Sequence, residues 1–259
     1  MNIFSPEFIL ASFLIFVRVA GVIASAPFFG SQMFPNQVKV FFAVVVTIML
    51  YPVIPMQGAV IAPNITALEL VIAIVKELLV GVTMGLIGQI IFGGVQLGGQ
   101  FVSIQIGLGF ANIVDPLTQN QNALVSQLLI LFGTVLFLGI GGEQIYLRAM
   151  QKSFEVIPIG NMDFSMAAPV FMDMAGQLFI VGIQIAAPFI VVLFLMDLSF
   201  AIFARIMPQA NVFFIALPLK VLIGLSMLLL VMPYIPVAFN QFFQILFDYL
   251  SRIMETIGP

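Results

Sequence analysis

The stretch LFIVGIQIAAPFIVVLFLMDLSFAIF, Leu178 to Phe203, carries one charged residue, Asp197, and as a helix is long enough to cross the roughly 30 Å of hydrocarbon in a bilayer. Further apolar runs occupy Phe8 to Ala26, Val40 to Tyr51, Leu68 to Phe92, Leu124 to Ile140 and Val212 to Val231, separated by segments with Pro, Gly, Gln and Asn. They make about six candidate spans. The chain has 259 residues, 62% hydrophobic and 7% charged, whereas a soluble domain carries about 25% charged residues. Its polar surface is too small for a soluble globule. The reading is an all-α polytopic membrane protein, a single domain over 1–259, because a helix satisfies its own backbone in lipid.

The runs are uneven. Val40 to Tyr51, closed by Pro52 and Pro55, would rise only about 18 Å at 1.5 Å per residue, too little to cross a bilayer. Phe8 to Ala26 could pass for a signal peptide, but Glu7 stands where a basic n-region belongs. Arg18 interrupts the apolar run, and Pro27 follows the cleavage-like Ala24-Ser25-Ala26, so the run reads as retained. With six spans, Arg148, Lys152 and Arg252 fall on one side and Lys39, Arg205 and Lys220 on the other, so positive charge sets no orientation. The tie fits helices placed by an assembly and fits equally a chain with too few charges to count. Gly142 to Ala175 is the most polar stretch, and it separates the first four runs from the last pair. Near the C-terminus, Phe239, Phe242, Phe243, Leu246, Leu250, Ile253, Met254 and Ile257 form one stripe of an amphipathic helix. Without a basic polar face, that helix suits partner packing better than a membrane surface.

Composition removes most chemistry. The absence of His and Cys excludes disulfides, thiol or imidazole nucleophile systems and every His- or thiolate-ligated metal site. No glycine-rich nucleotide fingerprint is present, and Asp197 has no second intramembrane Asp for a carboxylate-dyad protease. Eight basic and eleven acidic residues give a formal charge of −3, with no basic footprint for nucleic acid. The expectation is a protein with no catalytic residue, metal or cofactor of its own.

Three groups of residues stand out. GGVQLGGQFVSIQIGLGFANIVDPLTQNQN, Gly93 to Asn122, holds six Gly, five Gln and three Asn but one charge, Asp115. Its amides and any non-helical backbone would lack partners in lipid, so the segment should face water or protein. Either it lines a hydrated passage, with Gln96 and Gln100 as candidate lining residues, or it is an ordinary loop outside the membrane. Gly81, Gly85 and Gly88, and then Gly94 and Gly98, repeat the small-residue spacing at which helices approach closely. Arg18, Glu69, Lys76, Glu77, Asp197 and Arg205 are ionisable residues inside apolar spans, the last two flanking the end of the fifth run, where snorkelling costs little. Glu69 and Lys76 share a helix face, and Lys76 could neutralise one carboxylate. A proton or ion site in a small-solute secondary transporter is the sharper reading of these charges, and pairing between subunits or within one helix the plainer one.

Several motifs resemble one family. They are Arg18-Val19-Ala20-Gly21 leading to Pro27-Phe28-Phe29-Gly30, Pro35 before Lys39, and Gly98-Gly99-Gln100 leading to Gln105-Ile106-Gly107-Leu108-Gly109. Asp115-Pro116 and Met207-Pro208-Gln209-Ala210-Asn211-Val212-Phe213 with Pro218-Leu219-Lys220 follow. In this order they resemble the FliR family over essentially the whole chain. FliR is the R subunit of the flagellar type III secretion export gate, with the SctT family as injectisome counterpart.

The resemblance implies a gate subunit in the bacterial inner membrane, within the flagellar basal body. Its partners would be P and Q subunits, the B and A export components, lipid, and exported flagellar proteins as passing substrates. Residues 1–175 would be P-like and 176–259 Q-like, with hydrophobic helices placed largely above the membrane plane. A plug over 106–122 would help close the pore, with Gln105, Ile106, Gly107, Leu108, Gly109, Phe110, Ala111, Asn112, Asp115 and Pro116 as gating residues. Pro208, Gln209, Asn211 and Phe213 would form the turn between the last two helices, the two polar side chains satisfying backbone groups. Arg18, Glu69, Lys76 and Glu77 would be charged assembly contacts.

Overall fold

In the computed structural model, residues 6–30, 34–54, 65–108, 124–163, 166–209 and 211–258 are described. They contain eight α-helices: α1 (Pro6–Ser25), α2 (Asn36–Leu50), α3 (Ala67–Ile106), α4 (Leu124–Gly139), α5 (Gly142–Val156), α6 (Ala167–Ile206), α7 (Val212–Val231) and α8 (Ile235–Ile257). A 3-10 turn at Met232–Tyr234 joins the last two. Among the described residues, four helical stretches are long and apolar enough to cross a membrane. A fifth counts if α4 and α5, bent by 67° about Gly141, make one span. Each of the six apolar runs is found as a helix, and α2, with 15 residues, is short for a bilayer, as its sequence implied. Helices α3 and α6 have 40 residues each, about 60 Å at 1.5 Å per residue and twice the hydrocarbon thickness.

One expectation changes. The third apolar run does not end at Phe92, since α3 continues to Ile106 and Gly93–Ile106 is helix, not loop. Part of the polar Gly142 to Ala175 segment is α5, whose Tyr146, Met150, Ser153 and Phe154 are buried.

The residues pack as two units, each assembled from separated stretches. The first comprises Met1–Ile90, Phe137–Ala175 and Gln244–Pro259, and the second Ile91–Leu136 and Gly176–Phe243. Neither coincides with 1–175 or 176–259, a division that concerned likeness to other subunits rather than packing. In the first unit, Pro6 opens α1, where its missing N–H costs nothing. Ala11, Leu14, Ile15, Arg18, Val19 and Val22 are buried at helical spacing, while Ile9 and Phe13 face out. On α3 the buried face of this unit is Ala73, Glu77, Val80, Met84 and Ile87.

The C-terminal stripe lies inside the chain. Phe239, Phe242 and Phe243 are buried in the second unit and Leu246, Leu250, Ile253, Met254 and Ile257 in the first. The amphipathic face expected to seek a partner is satisfied internally. In contrast, α6 and α7 turn apolar side chains outward: Phe194, Leu222, Leu229 and Leu230 are 60%, 62%, 69% and 72% exposed. Surfaces of this kind require lipid or protein around them.

Candidate functional site

In the second unit, the end of α3 is held by contacts that glycine permits. A Cβ added at Gly94 would lie 2.8 Å from Leu178 O, at Gly98 2.8 Å from Ile185 Cβ, and at Gly99 2.5 Å from Ser126 Cα. Carbon atoms do not sit at such distances, so α3 approaches α6 and α4 backbone to backbone. The Ser126 hydroxyl donates to Gln96 O at 2.8 Å. Gln96, Gln100 and Gln105 are each half-buried.

The helix stops at a defined point. Gly107 has φ +94°, its N–H donates to Ile104 O, and the Leu108 N–H donates to Ser103 O, both at 3.0 Å. This is a Schellman cap, in which a left-handed glycine closes the last carbonyls. Ile106 before it is buried against the α-carbon of Gly224 on α7. Gly107→Ala should lower stability by about 1 kcal/mol, since alanine resists positive φ. Thermal unfolding in detergent reads the loss, and Gly107→Asn should be milder. Gly109, Phe110, Ala111, Asn112, Asp115 and Pro116, most of the expected plug, lie outside the described residues.

In the first unit, Arg18 is the centre of a buried clamp. Its Nε donates to Glu77 Oε2 at 2.6 Å and its Nη2 to Glu77 Oε1 at 3.0 Å, with both residues 0–1% exposed. Nη1 donates to Ser153 O at 3.0 Å and to Ser153 Oγ at 3.3 Å, and Nη2 also donates to Ile157 O at 3.0 Å. All five guanidinium N–H groups are thereby used. Glu77 Oε1 accepts the Gly160 N–H at 2.8 Å, and the guanidinium carbon lies 4.1 Å from the centroid of the Phe154 ring. The clamp ties α1 to α3, to the end of α5 and to the turn after it.

Sequence spacing misled on these charges. Lys76 neutralises neither Glu69 nor Glu77; its ammonium donates to Gly160 O at 3.3 Å. Glu69 accepts from the Thr66 N–H at 2.8 Å while its own N–H donates to Thr66 Oγ1 at 3.3 Å, a capping box for α3. Arg18 and Glu77, read as assembly contacts, are consumed inside the chain. The Thr66-x-x-Glu69 box was legible in the sequence; Ser153, Ile157 and Gly160 carried no signal.

Gly81, Gly85 and Gly88 also lie in the first unit. A Cβ at Gly81 would strike Arg18 O and stand 3.1 Å from Gly21 Cα, at Gly85 2.7 Å from Ala26 N, and at Gly88 2.6 Å from Pro27 Cδ. The turn motif of the second unit is exposed at Pro208, Gln209 and Asn211. Asn211 is the N-cap of α7, but its side chain makes no capping hydrogen bond, so that expected role is not filled. Of Phe213 only the helical backbone is described.

Long apolar helices in contact through glycine and a fully paired buried charge define a polytopic membrane protein. Residues 9–246 match the bacterial export proteins, family 1, and the chain belongs to that family. It is 30% identical to flagellar biosynthetic protein FliR of Aquifex aeolicus (strain VF5), over 97% of this chain and 96% of that protein. It is 28% identical to FliR of Bacillus subtilis (strain 168), with 96% of each covered. With FliR of Escherichia coli (strain K12) it shares 27% identity, over 93% of this chain and 91% of that one. Membership in the FliR family, a flagellar biosynthesis and export family, makes the chain a membrane component of protein transport.

Proposed function

We propose that the chain is a core subunit of the flagellar protein export gate, helping to form and close a protein-conducting channel in the bacterial inner membrane. It works beside P and Q subunits and the B and A components, and exported flagellar proteins pass through as transient substrates. It has no catalytic role and binds no cofactor. The observation that carries this reading is the end of α3. Half-buried Gln96, Gln100 and Gln105 run to a glycine stop at Gly107, after which the sequence is rich in amide and glycine up to Asn122. Neutral amides interact with a passing chain without selecting its charge. Gating residues from Gln105 to Pro116 occlude the passage at rest, and a substrate chain displaces them.

The transporter reading loses its basis, because Glu77 is locked by Arg18 and Gly160 and Glu69 caps a helix. The test is the amount of hook and filament protein in the medium of a strain lacking this gene, with and without a plasmid copy. Loss of export restored by the plasmid is expected. Normal export without the gene would reject the flagellar role and direct attention to the injectisome counterpart.

A further inference from the structure

The second unit holds a cavity of about 300 Å³, lined from α3, α4, α6, α7 and α8. Its floor is apolar and buried: Val102, Leu129, Phe189, Phe239 and Phe242 are each 4% exposed or less. Its polar lining residues, Gln184, Tyr234 and Gln241, are exposed and so stand at the mouth. None of the described lining residues is charged. Pro188, also in the lining and inside α6, has no N–H to give to Gln184 O four residues earlier, so that carbonyl lacks its helical partner.

An apolar cavity of about 150 Å³ stays dry and admits one benzene, so a cavity about twice that size with an apolar floor suits a hydrocarbon tail better than water. A buried apolar floor below a neutral polar mouth fits an amphiphile, tail inward and head outward. Small-molecule sites combine apolar walls with a few placed polar groups in this way. A charged head would give up hydration without gaining a countercharge. We propose that the cavity binds one neutral single-chain amphiphile, an alcohol or amide with a tail of about ten to twelve carbons, whose head donates a hydrogen bond to Gln184 O. Val102 stands one turn before Ile106, so an occupied cavity also braces the last turns of α3. The site does not depend on the gate reading.

The test uses the full chain, transferred from detergent into an amphipathic polymer that carries no free alkyl chain, and tritiated 1-dodecanol as probe. Uptake is expected to saturate at one molecule per chain and to raise the thermal transition, since the ligand binds the folded state alone. Two competitors separate length from charge: 1-hexanol, with half the tail, and dodecanoate in alkaline buffer should each displace the probe at least tenfold less well. Ala238→Phe adds a ring at a half-buried lining position. It should lower the affinity at least tenfold while the ligand-free chain keeps the wild-type thermal transition. Should that chain unfold, Val231→Phe, at another half-buried lining position, serves instead with the same loss expected. The absence of saturable uptake by the wild-type chain, displacement by dodecanoate as strong as by 1-dodecanol, or unchanged affinity in either folded variant would overturn the proposal.

Discussion

Arg18→Ala is expected to cost roughly 3–5 kcal/mol and to leave almost no folded chain in the membrane, because Glu77, 1% exposed, becomes a buried carboxylate without its cation. The same change frees Ile157 O and removes one of the ties on the turn at Gly160. Glu77→Gln separates charge from shape. The amide fits and still accepts a hydrogen bond, yet the guanidinium stays buried without countercharge, so most of the loss should persist. Arg18→Lys keeps the charge but supplies three donors where five are used, and should fall between. Resistance to limited proteolysis and the thermal transition in detergent measure the series. An Arg18→Ala chain that melts with wild type would show the clamp to be dispensable.

Gly81→Ala is expected to cost about 2–3 kcal/mol for a single added methyl group, at the upper end of overpacking effects. The new Cβ would meet Arg18 O and stand 3.1 Å from Gly21 Cα, and backbone cannot turn aside as a side chain can. Helices α1 and α3 would have to part locally, which also pulls Arg18 from Glu77. Gly81→Ala and Glu77→Gln should therefore be non-additive, the second costing less once the first is present. Gly176 on α6 is the control. A Cβ there meets nothing within 4 Å, so Gly176→Ala should stabilise by about 0.5–1 kcal/mol. Equal behaviour of the two variants in the same melt would contradict backbone contact at Gly81.

The apolar runs were legible because lipid-scale hydrophobicity needs no tertiary context. Val212 to Val231 is α7 as read, and the C-terminal stripe from Phe239 to Ile257 is the buried face of α8. The stripe gave the buried side and not what covers it, since another part of the same chain and a second protein bury such a face alike. The extension of α3 through Gly93–Ile106 was hidden by glycine. Each glycine disfavours an isolated helix by about 1 kcal/mol, but close approach of Gly94, Gly98 and Gly99 to α6 and α4 outweighs this. Charges were the least legible. Arg18 and Glu77 stand 59 positions apart and Asp197 and Lys220 23 apart, so periodicity along one helix could pair neither.

The most direct measurement is the ion conductance of gates assembled with a chain lacking Gly107 to Leu117, reconstituted in planar bilayers beside wild-type gates. If the stretch beginning at the α3 glycine stop closes the passage, wild-type gates are silent and the deleted gates conduct steadily without substrate. Deleted gates that assemble fully and remain as tight as wild type would contradict closure by this segment.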